Sequence, residues 1–499
     1  MPRQGESGVR RLAAVAIPTA ISLATFGLYF RTAARTITLA HGGGDGPELS
    51  AAAAVLGVAH PPGYPLYLLL GHLFAQLPVG EVAFRVGLLS AVAAAVGAGL
   101  AAHLAATLTA DLGAANSPRS LPPAIAAVSA GGVLATSPMY WSQATIPEVY
   151  TLHAALVLLA LVLLASWRPG RDPLVVALSL LFGLGMGDHV TLAFLIIVAV
   201  PFLLLQDRGL LRRRTALFAS LAFLAGLAVY LYLPIRAAAN PPLNWGNPSD
   251  PGRFLAQVTA RGYQSYLGGR PLEGVLARIP VMAQLLISQL TWPGLLLALL
   301  GLGELAERRP LLFRMLLGYI LLTLGFTLFY NAENGEVYML PAILVLAPAL
   351  GLGMAQLARP CQSRAGVHPP PPVAHSAPSG GAQDPALQDG GHGDGILRLL
   401  AVVAMVAIPT WQLLANWSSM DVSGDRSTAV YARQTLAAAP SDGILVTDRD
   451  EQTFPLWYVQ IVEGLRPDVA VVDRRLLEAA WYRFQIERQH PGVLERLQP

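Results

Sequence analysis

Apolar residues along this chain fall in long blocks separated by short polar segments. Runs near 12–30, 84–109, 121–137, 150–167, 173–187, 189–206, 215–235, 282–302, 310–330, 337–358 and 396–415 are dominated by aliphatic residues, Ala and Gly. A helix needs about 20 mostly apolar residues to cross the hydrocarbon of a bilayer. The pattern therefore predicts a mainly α, polytopic membrane protein with about eleven transmembrane helices, the runs near 121–137 and 173–187 being the shortest. Residues 1–358 form a multi-span core. Residues 359–395, with HPPPPVAHSAPSGGAQ and QDGGHGDG, are too poor in apolar content to fold and read as a disordered cytoplasmic linker. Run 396–415 is the last span. In the tail, 416–499, the β-rich runs GILVTD and DVAVVD flank TFPLWYVQIVEG at helical spacing. Strand, helix, strand predicts a small α/β domain with parallel pairing.

Arginine placement orients these spans. With Arg3, Arg10 and Arg11 cytoplasmic, eleven crossings also place Arg119, Arg168, Arg171, Arg208, Arg212 to Arg214, Arg308, Arg309, Arg359 and Arg364 inside. That is a positive-inside pattern. It assigns 31–83, 138–149, 236–281, 331–336 and everything after about 416 to the extracytoplasmic face. The basic start and apolar run near 12–30 also fit a secretory signal. An uncleaved anchor is the better reading, because the arginine pattern needs that crossing. Composition agrees with a membrane protein: 54% hydrophobic, 13% charged and mean hydropathy +0.52, against about 25% charged in soluble chains. The net charge of +3 gives no reason to expect a nucleic acid partner, and a single cysteine, Cys361, excludes an internal disulfide.

The polar chemistry collects in the outside segments. The first carries HGGGDGPELSAAAAVLGVAHPPGYP, where a helix beginning near Pro47 puts Asp45 at its entrance and Glu48 in its first turn. The pair reads either as a helix cap or as a carboxylate aimed into a cavity. SPMYWSQATIPEVYTLH places Glu148 and Tyr150 beside a span, as catalytic-side groups or as an interfacial belt. GLGMGDHVT places Asp188 and His189 at a turn between two spans, either functional or solvated. LPIRAAANPPLNWGNPSD holds Arg236 at the outer end of a span, then Asn240, Asn244 and Trp245. An outward arginine runs against the orientation bias and reads as an anion site or a snorkelling anchor. No nucleotide-binding loop occurs, so a donor used outside must arrive without a nucleotide, and a lipid-linked donor meets that requirement.

DGPEL, AHPPGYPLYLLLGHLF, FRVGLLSA, SQATIPEVYTL, FGLGMGDH, YLPIRAAANPPLNWGNP, YNAENGEVYMLP, FPLWYVQ and LRPDV together carry a resemblance. They resemble a family long known only as a domain of unknown function and now grouped with GT-C-type membrane glycosyltransferases. Its eukaryotic members include transmembrane protein O-mannosyltransferases. The family usually shows Asp-Ser-Gly-Glu where this chain has Asp45, Gly46, Pro47 and Glu48, so the spacing of the acids is kept and the hydroxyl is lost. The resemblance implies transfer of a mannose-like sugar from a polyprenyl phosphate to a hydroxyl of a protein or glycan acceptor, at a bacterial inner membrane. It implies an acid of the first outside loop as general base. Asp45 is the expected base and Glu48 its support. Arg236 and His189 are the expected phosphate partners, and His60, Tyr64, Glu148, Tyr150, Asp188, Asn244 and Trp245 are expected to bind substrate. Prolines fix the HPPGYP backbone, so that His60 and Tyr64 face the site and LYLLLGHLF lies in the interface. No motif requires a cofactor, and a divalent metal is left open. A flippase of lipid-linked sugars would call for repeated halves and charges deep in the spans. A non-catalytic scaffold would not call for clustered acids, histidine and arginine.

Overall fold

A computed structural model describes residues 4–112, 121–268, 270–359 and 390–497. Arg3, Arg119, Cys361, Arg364 and residues 360–389 of the expected 359–395 linker lie outside the described residues, while 390–395, expected to be disordered, begin a helix. Helix α1 (Gln4–Thr32) leads into a loop that carries α2 (Gly46–Val55) and α3 (Pro65–Ala75). The bundle continues with α4 (Val82–Leu112), α5 (Leu121–Thr136), α6 (Pro138–Ala144), α7 (Tyr150–Ser166), α8 (Asp172–Met186) and α9 (Leu192–Gln206). Next come α10 (Arg214–Leu227), α11 (Tyr232–Ala238), α12 (Pro251–Val258), α13 (Leu272–Leu290), α14 (Trp292–Arg308), α15 (Pro310–Phe329), α16 (Leu340–Leu357) and α17 (Gly390–Met420). The tail holds α18 (Ser427–Ala438), β1 (Ile444–Thr447), α19 (Asp450–Glu463), β2 (Ala470–Asp473), α20 (Ala480–Gln489) and α21 (Val493–Arg496).

Five helices among the described residues are long and apolar enough to cross a membrane, or up to seven if two bent pairs each count as one span. Helices α7, α8 and α9 are apolar but have only 15 to 17 residues. The expected span 282–302 is corrected: it is not one rod. The chain breaks between α13 and α14 with a bend of 92°. Thr291 adopts φ 66°, and its hydroxyl accepts from the Gly294 N–H at 3.2 Å. Pro293 then sits in the first turn of α14, where its missing N–H costs nothing. Apolar residues on both sides of the break conceal it from a hydropathy pattern.

The two ends of the bundle differ. At one end Arg168 and Arg309 reach Asp111 at 2.9 and 3.3 Å, Arg308 donates to the Leu112 carbonyl, and Arg213 pairs with Asp207. Arg359 there pairs with Glu304. At the other end lie α2, α3, the α8–α9 turn and the tail. Strand β1 pairs with β2 in parallel, Ile444 opposite Ala470, with α19 as the crossover. This unit does not stand apart. Phe454, Val459 and Val471 share one buried apolar cluster with Leu49, Val58, Tyr67 and Leu233. The Tyr458 hydroxyl also accepts from the Ala83 N–H at the start of α4.

Candidate active site

Asp45 is the residue that opens α2, and its side chain makes no capping hydrogen bond and stays 42% exposed. Glu48, one turn on, is fully buried. The Ala-rich body of α2 lets neighbours press close on all sides. Its C-terminus is closed by Leu56 in the left-handed region, and at Gly57 a Cβ would lie 2.7 Å from the Leu243 carbonyl. Only glycine admits that approach. The Val58 N–H then donates to Leu243 O at 2.9 Å, and the Trp245 N–H donates to Val58 O at 3.0 Å.

This pinning returns His60 to the start of α2. The His60 N–H donates to Glu48 Oε1 and its Nδ1 lies against Glu48 Oε2, both at 2.8 Å. His60 Nε2 faces Asp45 Oδ2 at 3.6 Å and the Tyr64 hydroxyl at 3.3 Å. Glu48 therefore does not cap the helix. Both of its oxygens hold one imidazole, whose far nitrogen points at Asp45. Gly63 turns the corner at φ +95°, where a Cβ would meet Leu233 at 2.9 Å, and Gln257 Nε2 donates to Ala59 O at 2.7 Å. Burial alone would discharge His60. The neighbouring carboxylates of Glu48 and Asp45 outweigh it and push the imidazole up to about 10, so it is cationic at neutral pH.

A second layer lies behind Tyr64. His189 packs among the rings of Tyr64, Tyr150, His153 and Tyr338, with centroids 6.3, 5.6, 5.1 and 5.8 Å away. Its Nδ1 contacts Thr191 Oγ1 at 2.7 Å. The α8–α9 turn is tied to the corner by the Leu66 N–H, which donates to Gly187 O at 3.0 Å. Asp188 and His189 are buried, not solvated. Both Asp188 carboxylate oxygens lack a hydrogen-bond partner among the described residues. Glu148 is buried near the acids, its backbone held on both sides by Ser90 Oγ. Burial, reinforced by Asp45, raises its carboxyl well above the usual carboxylate range, although His60 opposes the shift.

Arg236 stands elsewhere. Its Nε donates to Leu56 O at 2.7 Å and its NH2 to Val55 O at 3.3 Å, so the guanidinium closes the C-terminus of α2. Asn244 is buried and donates to Ala237 O at 3.2 Å. Trp245 lies 6.1 Å from the His60 ring and also meets Phe454, Trp457 and Trp481. Four residues near the site escaped the sequence reading. Tyr263, on a 3-10 turn, sits 6.3 Å from the His60 ring. Tyr338, in the segment YNAENGEVYMLP, joins the His189 layer. Asp450, at the start of α19, is raised by burial against the pull of Arg475, with Asp45 adding to the rise. Glu451 approaches Gly44. No local pattern marks the tail residues, because only packing brings them to the first loop. Among the described residues no group of three or more His, Cys, Asp or Glu is disposed to hold a metal ion.

Comparison with known proteins bears on this geometry. Residues 45–210 match the family model for the protein O-mannosyl-transferase TMEM260 N-terminal domain, and residues 428–491 match TMEM260-associated domain 2. Protein O-mannosyl-transferase TMEM260 of Mus musculus is 26% identical over 479 residues, covering 90% of this chain and 62% of the relative. Its namesake from Dictyostelium discoideum is 23% identical, over 89% of this chain and 55% of the relative. The chain thus spans a little over half the length of these curated relatives. Two solved structures share the fold. ArnT from Cupriavidus metallidurans bound to undecaprenyl phosphate has a TM-score of 0.53 at 14% identity, covering 94% of this chain and 91% of that one. The archaeal oligosaccharyltransferase AglB from Archaeoglobus fulgidus, solved with an inhibitory peptide and a dolichol-phosphate, has a TM-score of 0.52 at 14% identity, over 92% and 65%. Two stretches of the chain are thus similar to two sequence domains of TMEM260 protein O-mannosyl-transferases, and its fold is shared with ArnT and AglB.

Proposed function

We propose that this protein is an integral membrane glycosyltransferase of the bacterial inner membrane. It moves a mannose-like sugar from a polyprenyl phosphate to a hydroxyl of a protein or glycan acceptor on the extracytoplasmic face. The observation that carries the reading is the Asp45, His60, Glu48 arrangement: an exposed, uncapped carboxylate backed by a buried imidazole that a second carboxylate holds by two bonds. The similarity to protein O-mannosyl-transferases supports the transfer, and the undecaprenyl phosphate and dolichol-phosphate bound to the two fold neighbours support the donor class. The arginine-lined end of the bundle supports a cytoplasmic placement of that end and an outer placement of the site.

In this reading Asp45 takes the proton of the acceptor hydroxyl as its oxygen bonds to the anomeric carbon of the donor. The bond from that carbon to the phosphate oxygen breaks, and its electron pair leaves on the phosphate. A well-placed general base contributes typically 10²–10⁴-fold. His60 and Glu48 position Asp45, Tyr263 and Tyr64 pack against the His60 ring, and His189 with Tyr150 and Tyr338 offers hydrogen bonds to the leaving phosphate. Arg236 serves through α2, whose last carbonyls it holds. Purified protein incubated with radiolabelled polyprenyl-phosphate mannose and a Ser/Thr acceptor peptide or glycan tests the reading. Label transfer in wild type that disappears in folded Asp45→Asn supports it. No transfer from any lipid-linked sugar, or transfer undiminished in Asp45→Asn, overturns it.

A further inference from the structure

The turn between α9 and α10, at the arginine-lined end, carries charge that the protein leaves unanswered. Four arginines fall within residues 208–214: Arg208, Arg212, Arg213 and Arg214. Two carboxylates stand beside them, and both are spent on the same one. Arg213 pairs with Asp207 at 2.6 Å and faces Asp172 at 3.5 Å. Asp207 also accepts from the Gly209 N–H at 3.0 Å, and Asp172 from the Thr215 hydroxyl at 2.5 Å. Both acids therefore hold the shape of the turn. Arg208, Arg212 and Arg214 are exposed, and among the described residues no carboxylate or carbonyl pairs with their guanidinium groups.

Uncovered apolar side chains flank these arginines. Leu211, in the turn itself, is 67% exposed, and Leu205, near the end of α9, is 58% exposed. Residues three and four apart share a helix face. Arg214 therefore heads a row on α10 that continues through Leu217, Phe218, Leu221 and Leu224, all exposed. The apolar run that α10 opens, Arg214–Ala238, is only 22% buried, as befits a helix on the lipid-facing surface of the bundle. The turn thus lies where hydrocarbon ends and headgroups begin. A dissolved anion would answer the guanidinium groups and leave the leucines uncovered. A phospholipid meets both needs: its phosphate pairs with the arginines and its acyl chains cover the apolar row. A zwitterionic headgroup brings a cation of its own, so the unpaired arginines favour an anionic one.

We propose that the α9–α10 turn is a binding site for an anionic phospholipid of the leaflet at the arginine-lined end. Arg208, Arg212 and Arg214 hold the headgroup phosphate, and Leu211 sits among the acyl chains beside it. The site is separate from the transfer centre and does not rest on the proposed function. Full-length protein in nanodiscs of equal parts phosphatidylglycerol and phosphatidylcholine is released for native mass spectrometry, and the lipids it retains are counted. Wild type should retain phosphatidylglycerol in preference. Arg208→Gln, Arg212→Gln and Arg214→Gln should each lower that preference about fivefold, the share of one arginine near a membrane surface, and the triple variant should abolish it. Single variants keep the other arginines, and with them the orientation of the chain. None of the three side chains has a partner to lose, so the melting temperature in detergent should stay unchanged. Raised salt should lower the preference in wild type. Equal retention of the two lipids by wild type, or an undiminished preference in the triple variant, overturns the site. So does stabilisation in detergent by inorganic phosphate that phosphatidylglycerol does not match, which would mark a site for a soluble anion.

Discussion

The two ends of the bundle use their ionisable groups in opposite ways. At the arginine-lined end, Arg168 and Asp111 pair at 2.9 Å with side chains 42% and 37% exposed. Such pairs contribute about 0–1 kcal/mol to stability. At the other end Glu48 and His60 are buried against each other, and Glu148 is buried nearby. Among the described residues no arginine forms a salt bridge with Glu48 or Glu148. The cation that offsets Glu48 is the His60 imidazolium, and burying such a pair is costly unless its geometry is good. The contrast is one of burial: one end holds acids buried against an imidazole, and the other holds exposed arginine pairs.

The comparison is broken most directly at Asp45. Asp45→Asn should lower turnover by roughly 10²–10⁴-fold with an unchanged melting temperature, because its side chain caps nothing. A large loss of thermal stability would show that Asp45 is structural and that the two ends differ less than claimed. Next in size is Glu48→Leu. Removing one partner of a buried charged pair costs about 3–5 kcal/mol, so denaturation in detergent should come markedly earlier and turnover should fall with it. Glu48→Gln, which keeps the shape, should lose less of both.

A pH series sharpens the contrast. The folded-state value of His60, about 10, lies above its unfolded value of about 6.5. A raised basic group stabilises the fold fully below its unfolded value. That contribution fades as pH rises through the folded one. The melting-temperature gap between wild type and His60→Gln should therefore be widest below about pH 6.5 and close near pH 10. A gap that widens with pH would mean His60 is neutral in the fold. The smallest effect belongs to the opposite end. Asp111→Asn should change stability by less than about 1 kcal/mol and leave transfer unchanged, while a tag-accessibility assay tests whether orientation holds.

Several features were legible in the chain. The strand, helix, strand tail follows from GILVTD and DVAVVD, since short β-branched runs around a helical segment have few alternatives. The start of α2 follows from Pro47 and the alanines behind it. The eleven crossings were read from composition, while five helices, or seven with bent pairs, meet the length and hydropathy requirement on their own. The apolar alphabet is degenerate: it signals a hydrocarbon environment but not where a rod bends, and so the break at Thr291 was missed. Asp45, Glu48 and His60 were all singled out, yet the spacing of twelve residues between Glu48 and His60 says nothing about a hydrogen bond.

What the sequence by itself determined was therefore environment and local geometry: apolar runs, helix starts, turn glycines, and which polar residues interrupt the spans. These depend on neighbours within one or two turns. Only the tertiary structure decided partnership. It turned Glu48 from a candidate cap into the holder of His60, set Arg236 on the carbonyls of α2, and buried Asp188 and His189. It also brought Asp450 and Glu451 beside a loop four hundred residues earlier in the chain, and Trp481 against Trp245. The physical reason is that a charge is placed by the cost of desolvation and by the partner that offsets it, and that partner is chosen by packing across the whole molecule.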